Sequence, residues 1–289
     1  MKFLIALLPL IAAVPALANA ADNVSFLNRG NGKVAYELSG PESKRLAILV
    51  PGVGDSRHSY RFLVPQLHAA GWRTVSLSLR GLDESSTNWE DFSPEAVGSD
   101  VVALIDTLGV DSVVVIGNSI GGPVTVWAAA ERPEQVKGLV MIAPFIRETK
   151  MPWMKKVMFK LALARPWGVS AWIGAYKGSY PTNPPADFNQ YVKNLKSMLK
   201  EKGRYATFQK MIWTSPAACE ARIPEVKAPT LLIFGDKDKD FDDPAGEMKA
   251  VGELLGAKTL LVKGSGHYPQ AEFPKITGKA IVDFIGSLK

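Results

Sequence analysis

One serine, one histidine and one of a run of aspartates have the side-chain chemistry and the setting for nucleophilic catalysis. The serine is Ser119, in Gly117-Asn118-Ser119-Ile120-Gly121. The apolar run Ser112-Val113-Val114-Val115-Ile116 precedes it, and Gly122-Pro123-Val124-Thr125-Val126-Trp127 follows with a helical pattern. A strand, a sharp turn and a helix, with serine at the apex, hold a hydroxyl above the end of a sheet where a base can reach it. The flanking glycines fit that turn, because side chains there would crowd the strand and helix that meet at it.

A serine hydroxyl is a weak nucleophile until a base takes its proton, and the base needs an acid to hold its tautomer. His267 lies in Gly264-Ser265-Gly266-His267-Tyr268-Pro269, after a strand pattern over 259–262. Loops at the carboxyl ends of strands are where sites form in open α/β sheets. His58 sits in the loop after Asp55, close enough to contact a ligand, and His68 falls inside a predicted helix. The acid belongs in the loop after Thr230-Leu231-Leu232-Ile233-Phe234, which holds Asp236, Asp238, Asp240, Asp242 and Asp243. The residues alone do not choose among these five.

The elements that must position these groups read as alternating strands and helices. Strand patterns cover 34–38, 46–50, 73–79, 112–116, 138–143, 230–234 and 259–262; helical patterns cover 60–70, 93–108, 122–130, 244–255 and 276–288. Leu46-Ala47-Ile48-Leu49-Val50 is apolar throughout, as a strand buried on both faces requires. Ser93-Pro94-Glu95 opens a helix with a cap, a proline at the first position and an acid in the first turn. This rhythm predicts a mostly parallel sheet covered on both faces. It breaks over 145–224, where the pattern is helical and rich in Lys, Trp, Tyr and Met. We therefore expect a core from 21–144 and 225–289, with 145–224 inserted as a helical cap.

Composition narrows the function. Residues 1–20 read as a signal peptide: Lys2, an apolar run over 3–14, and Ala18-Asn19-Ala20 as the cleavage site. Export, to the periplasm or outside the cell, follows as an expectation. One cysteine, Cys219, allows no intramolecular disulfide, and we expect it buried in the cap. Three histidines and one cysteine form no cluster with metal-ligand spacing, so no metal is expected. No phosphate-binding glycine motif follows a strand, so neither a nucleotide cofactor nor a nucleic-acid partner is expected. The formal charge of +6 is uneven, with basic residues outnumbering acids between Arg147 and Lys227. That excess is either a solvated face or an attraction to an anionic substrate or membrane surface.

The chain resembles the α/β-hydrolase superfamily, and within it the capped serine hydrolases of esterase and lipase type. The residues carrying the resemblance are Gly-Asn-Ser-Ile-Gly-Gly, Pro-Thr-Leu-Leu-Ile-Phe-Gly-Asp-Lys-Asp, Gly-Ser-Gly-His and Arg80-Gly81 through Ser85. The order serine, acid, histidine is that family's order. The resemblance implies an α/β-hydrolase fold and a triad of Ser119, Asp238 and His267, with Asp240 as the fallback acid. It implies an oxyanion hole of the Val53 and Ile120 N–H groups, no cofactor, and a small-molecule ester as substrate. Two departures stand out. Pro51-Gly52 replaces the usual His-Gly, and Arg80-Gly81-Leu82-Asp83-Glu84-Ser85 replaces Arg-Gly-His-Gly-x-Ser. Serine at the elbow disfavours the dehalogenase and epoxide-hydrolase chemistries, which use aspartate there.

The cap aromatics Trp153, Phe159, Trp167, Trp172, Tyr176, Tyr180, Tyr205, Phe208 and Trp213 are expected mainly as packing, with an apolar acyl pocket as the functional alternative. Residues 151–164, with Lys155, Lys156 and Lys160, read as an amphipathic lid helix for a membrane surface, which suggests a lipid-like ester. The alternatives carried forward are a carbon–carbon bond or thioester hydrolase on the same triad, and a non-catalytic binding protein on the same fold.

Overall fold

The structure, a computed structural model, describes residues 24–148 and 151–288. The expected signal peptide lies outside the described residues. The elements in chain order are β1 (Val24–Arg29), β2 (Gly32–Ser39), β3 (Leu46–Val50), α1 (Val64–Ala69), β4 (Arg73–Leu77), α2 (Pro94–Leu108), β5 (Val113–Asn118), α3 (Gly121–Glu131) and β6 (Val136–Ile142). Five helices follow: α4 (Trp153–Ala162), α5 (Gly168–Gly178), α6 (Phe188–Lys200), α7 (Arg204–Met211) and α8 (Ala217–Glu220). Then come β7 (Thr230–Gly235), α9 (Pro244–Leu255), β8 (Lys258–Val262), α10 (Pro269–Glu272) and α11 (Pro274–Gly286).

The eight strands form one sheet in the order β1-β2-β4-β3-β5-β6-β7-β8. The β1–β2 and β2–β4 pairs are antiparallel, and all the others are parallel. The mostly parallel sheet expected from the alternation is thus present. Strand order reverses between β3 and β5, which opens a crevice at their carboxyl ends. Pro51 to Asp55 leaves β3 at that crevice, and Ser119 leaves β5 beside it.

Both sheet faces are covered, as the all-apolar strands require. Ile48, Val50, Val113 and Val115 pack with Val101 and Leu104 of α2 and Val126 of α3. Ala47, Leu49, Val114 and Ile116 face the other way, onto Leu67 of α1 and Ile281 and Phe284 of α11. Helix boundaries follow local chemistry. Ser93 Oγ accepts the Ala96 N–H at 3.2 Å to start α2, and Gly109 ends it at φ +59°. Asp243 caps α9 in the same way, with Pro244 at its first position.

Some boundaries depart from the sequence reading. The helix read over 60–70 begins only at Val64, because Pro65 suits a first turn and residues Arg57–Tyr60 form a tighter 3-10 turn. β4 stops at Leu77 rather than 79. β1 was not anticipated: it is an edge strand in which only Leu27 is buried, so it lacks an alternating pattern. Cys219 is buried as expected, but α8 lies against the core helices α2 and α3 rather than within the cap.

Candidate active site

The turn that carries Ser119 is built by close backbone approach. A Cβ on Gly117 would stand 2.0 Å from Gly121 O, and one on Gly121 would stand 2.5 Å from Val50 O. Neither position has room for a side chain. Ser119 itself takes φ +56°, a left-handed conformation that costs a non-glycine residue on the order of 1–3 kcal/mol. Its backbone is pinned on both sides. Its N–H donates to Ile142 O at 2.9 Å, and its carbonyl accepts from Gly122 N at 3.0 Å and Phe145 N at 3.2 Å.

Asn118 ties this turn to the histidine loop. Its Nδ2 donates to Ile142 O at 3.0 Å and to His267 O at 3.2 Å. The histidine loop has further fastenings. The His267 N–H donates to Ser179 O at 3.1 Å. The buried carboxylate of Glu272 accepts from Gly266 N at 2.7 Å, Ser265 Oγ at 3.1 Å, and Thr182 N and Asn183 N at 2.9 Å each. That one carboxylate joins the loop to the segment between α5 and α6.

Asp238 and Asp240 both reach His267, at different distances and depths of burial. His267 Nδ1 stands 2.7 Å from Asp238 Oδ2, and Asp238 is buried. Asp240 Oδ2 lies 3.4 Å from the same nitrogen on a half-exposed side chain, and its N–H donates to Asp238 Oδ1 at 3.0 Å. A carboxylate only accepts, so Nδ1 carries a proton in either state, and once the ring is neutral the lone pair lies on Nε2. Asp238, Asp240 and His267 each bring a ligand atom within 4.8 Å of the others, a spacing compatible with a cation.

Burial alone would lower the affinity of His267 for a proton. The negative charges of Asp238 and Asp240, the Asp238 hydrogen bond and the more distant charge of Asp55 outweigh it, and the pKa rises to about 9. Phe145 and Tyr268 flank the ring at centroid distances of 5.6 and 5.2 Å.

The loop after β3 lies directly against the serine. A Cβ on Gly52 would stand 3.2 Å from Ser119 Cβ. Among the described residues, the N–H groups of Val53 and Ile120 donate to no protein acceptor. The same loop holds Asp55, to which the sequence reading assigned no part. It is fully buried and accepts from Tyr191 Oη at 2.5 Å, Tyr176 Oη at 3.1 Å and Ser56 N at 2.8 Å. Burial pushes its pKa up to about 6, despite these hydrogen bonds and the charge of Arg61. Tyr176 and Tyr191 come from α5 and α6, so a core carboxylate anchors both helices over the site. Trp172 Nε1 is buried against Gly54 with no protein acceptor among the described residues. An acid in a loop after an all-apolar strand was the available signal for Asp55. Nothing in the sequence announced its tyrosine partners, more than a hundred residues away.

The remaining candidates fall elsewhere. His58 sits beside Arg57, Asp83, Glu37 and Glu84; burial and the Arg57 charge lower its pKa. His68 Nε2 hydrogen-bonds Thr74 Oγ1 at 2.9 Å. Ser119, Asp238 and His267 are 3%, 2% and 3% exposed, so the site is a covered one.

The chain belongs to the alpha/beta hydrolase fold family, whose model matches residues 48–274. It is similar to a pimeloyl-[acyl-carrier protein] methyl ester esterase of Neisseria meningitidis, at 25% identity over 85% of this chain and 95% of that one. It is equally similar to a 2-hydroxy-6-oxononadienedioate/2-hydroxy-6-oxononatrienedioate hydrolase of Paraburkholderia xenovorans, at 25% identity over 90% of this chain and 93% of that one. Among solved structures, a bromoperoxidase from Bacillus anthracis superposes with a TM-score of 0.78 at 19% identity, over 91% of this chain and 100% of the other. An esterase from a Rhodococcus species gives 0.77 at 19%, over 92% and 100%. These structures share the fold.

Proposed function

We propose that the chain is a serine hydrolase that cleaves carboxylic esters through an acyl-enzyme. The observation that carries this reading is the 2.7 Å contact from His267 Nδ1 to Asp238, on a loop that Asn118 ties to the Ser119 turn. In the forward step Ser119 Oγ attacks the ester carbonyl carbon while His267 Nε2 takes its proton. Asp238 stays ionised and stabilises the imidazolium. The carbonyl oxygen becomes an oxyanion to which the N–H groups of Val53 and Ile120 donate, each worth about 10²–10³ in rate. The carbon–oxygen bond then breaks, and the leaving alkoxide takes the proton from His267. Water, losing a proton to the same nitrogen, attacks the acyl-Ser119; the carbon–Oγ bond breaks, Ser119 Oγ takes the proton back from His267, and the acid leaves. Two backbone donors serve this hole without the histidine that Pro51 replaces.

A second reading, hydrolysis of a carbon–carbon bond, is favoured by Gly117-Asn118-Ser119-Ile120-Gly121-Gly122 and by the similarity to the Paraburkholderia hydrolase. Export, with cleavage after Ala20, belongs to the first reading, since it fits extracellular esters better than cytoplasmic ring-cleavage products.

The test is hydrolysis of p-nitrophenyl esters from acetate to palmitate by protein beginning at Ala21. We expect turnover that falls about 10⁴-fold or more in Ser119→Ala and in His267→Ala while both stay folded. Retained turnover in folded Ser119→Ala overturns the assignment. Turnover of a 2-hydroxy-6-oxo-dienoate with none of the esters replaces it by the second reading.

A further inference from the structure

Helix α4 is amphipathic in the wrong sense for a helix that packs on its own protein. None of its residues is buried. At about 100° per residue, Trp153, Met154, Val157, Met158 and Leu161 share one arc of about 140°. All five are exposed, Trp153 at 75% and Met158 at 68%. The one anchored side chain, Phe159, lies on the opposite side of the helix and meets Trp213 edge-on at 5.5 Å. The apolar face therefore points outward. Exposed Met151 extends it before the helix and exposed Trp167 beyond it, where Trp167 Nε1 donates to Leu161 O at 3.0 Å. Seven of the eleven large apolar side chains exposed among the described residues fall within this short stretch.

Charge identifies the occupant. Lys155, Lys156 and Lys160 flank the anchored side, so their ammonium groups border the apolar face, and two of them lie 5.5–5.8 Å from the Trp213 ring. No acid occurs in the sequence between Glu148 and Asp187. A protein partner with an apolar groove needs no such one-sided charge. An anionic phospholipid surface takes both features at once: apolar side chains enter the headgroup–acyl boundary, lysines meet the phosphates, and tryptophans settle at the interface.

We propose that the outward face of α4, with Trp167, docks on an anionic lipid bilayer, holding the cap side of the molecule against the membrane. The test reads binding rather than turnover, so its outcome is independent of the ester-cleaving reading. Protein beginning at Ala21 is floated with vesicles of phosphatidylcholine alone, or with about one third phosphatidylglycerol, at low and at physiological salt. We expect cofloatation with the anionic vesicles and little with the neutral ones, weakening as salt rises. Trp153→Ser with Met158→Ser, and separately Lys155→Gln with Lys156→Gln and Lys160→Gln, should each reduce the bound fraction at least fivefold. All these positions are exposed, so unfolding is not expected, and the far-ultraviolet circular dichroism checks it. No binding to anionic vesicles overturns the proposal. Binding that both variants retain overturns it too, as does a concentration-dependent dimer in light scattering that the same variants abolish, which would assign the face to a second copy of the chain.

Discussion

Two carboxylates reach the same imidazole nitrogen, and they should part company on mutation. His267 must be neutral at Nε2 to take a proton, and its pKa of about 9 lies above neutrality. We expect kcat/KM to rise with pH and level off above about 9. Asp240→Asn removes one of the charges holding the proton on, so the rise should move to lower pH with the plateau kept within about tenfold. Asp238→Asn removes the group that fixes the tautomer, and the plateau should fall by about 10⁴. A pH–rate profile of the three proteins decides it, and a collapsed plateau in Asp240→Asn would transfer the role to that residue. Asp55 gives a second prediction at this scale. Its folded pKa, raised from 3.8 to about 6, means the folded chain holds this proton more tightly than the unfolded one. Its contribution is therefore stabilising below pH 4 and is lost as pH rises through 6, on the order of 3 kcal/mol. Asp55→Asn should be less sensitive to pH than wild type between 4 and 6, measured as the difference in melting temperature. The same variant should also shift the His267 limb toward lower pH, because Asp55 is among the charges that raise it.

At the scale of elements, the site depends on loops that approach one another closely. The histidine loop approaches the segment after α5 so closely that a Cβ on Gly266 would stand 2.1 Å from Ser179 O and 2.6 Å from Pro181 Cδ. Gly266→Ala must push the loop away from the cap and displace the imidazole. We expect a loss of about 10² or more in kcat/KM, as an ångström of misplacement costs. Gly286→Ala, where a Cβ meets nothing within 4 Å, is the control and should keep full activity. A folded, fully active Gly266→Ala would mean that the cap does not set the position of His267. The same contact explains the glycine directly before the histidine, whereas Gly264 is required by its own φ of +82°.

Across the whole molecule, one buried ion cluster holds the far side of the sheet to the loop beneath the cap. Arg80 donates to both oxygens of Asp100, from Nε at 2.6 Å and from Nη2 at 2.8 Å, and to Asp91 O at 2.9 Å. Arg29 of β1 adds a third bond to the same carboxylate at 3.0 Å. Further along that loop, Arg204 of α7 donates to Gly81 O and Ser85 O. Asp100→Ala leaves a buried guanidinium without its counter-charge and should cost about 3–5 kcal/mol. We expect the melting temperature to fall by on the order of 10 °C. A fall of only a degree or two in a thermal scan would show that water compensates Arg80.

How much of this was legible in the sequence depends on the range of the forces involved. The apolar runs of β3, β5, β6 and β7, the capped starts of α2 and α9, and the strand–turn–helix around Ser119 are local patterns, and the sequence by itself determined them. It also determined the family, and through the family's pattern it pointed to Asp238. Which of its own five aspartates stands hydrogen-bonded against His267, only the tertiary structure decided. Selection needs the side chain that arrives at 2.7 Å from Nδ1 and the burial that goes with it, both set by how the β7 and β8 loops meet. Asp55 with Tyr176 and Tyr191, Glu272 with the two segments it joins, and the outward turn of α4 are of the same kind. Each is a pairing between residues far apart in the chain, or a choice of which helix face looks inward. Periodicity fixes that a helix has an apolar face, but only packing against the rest of the molecule decides whether that face is covered.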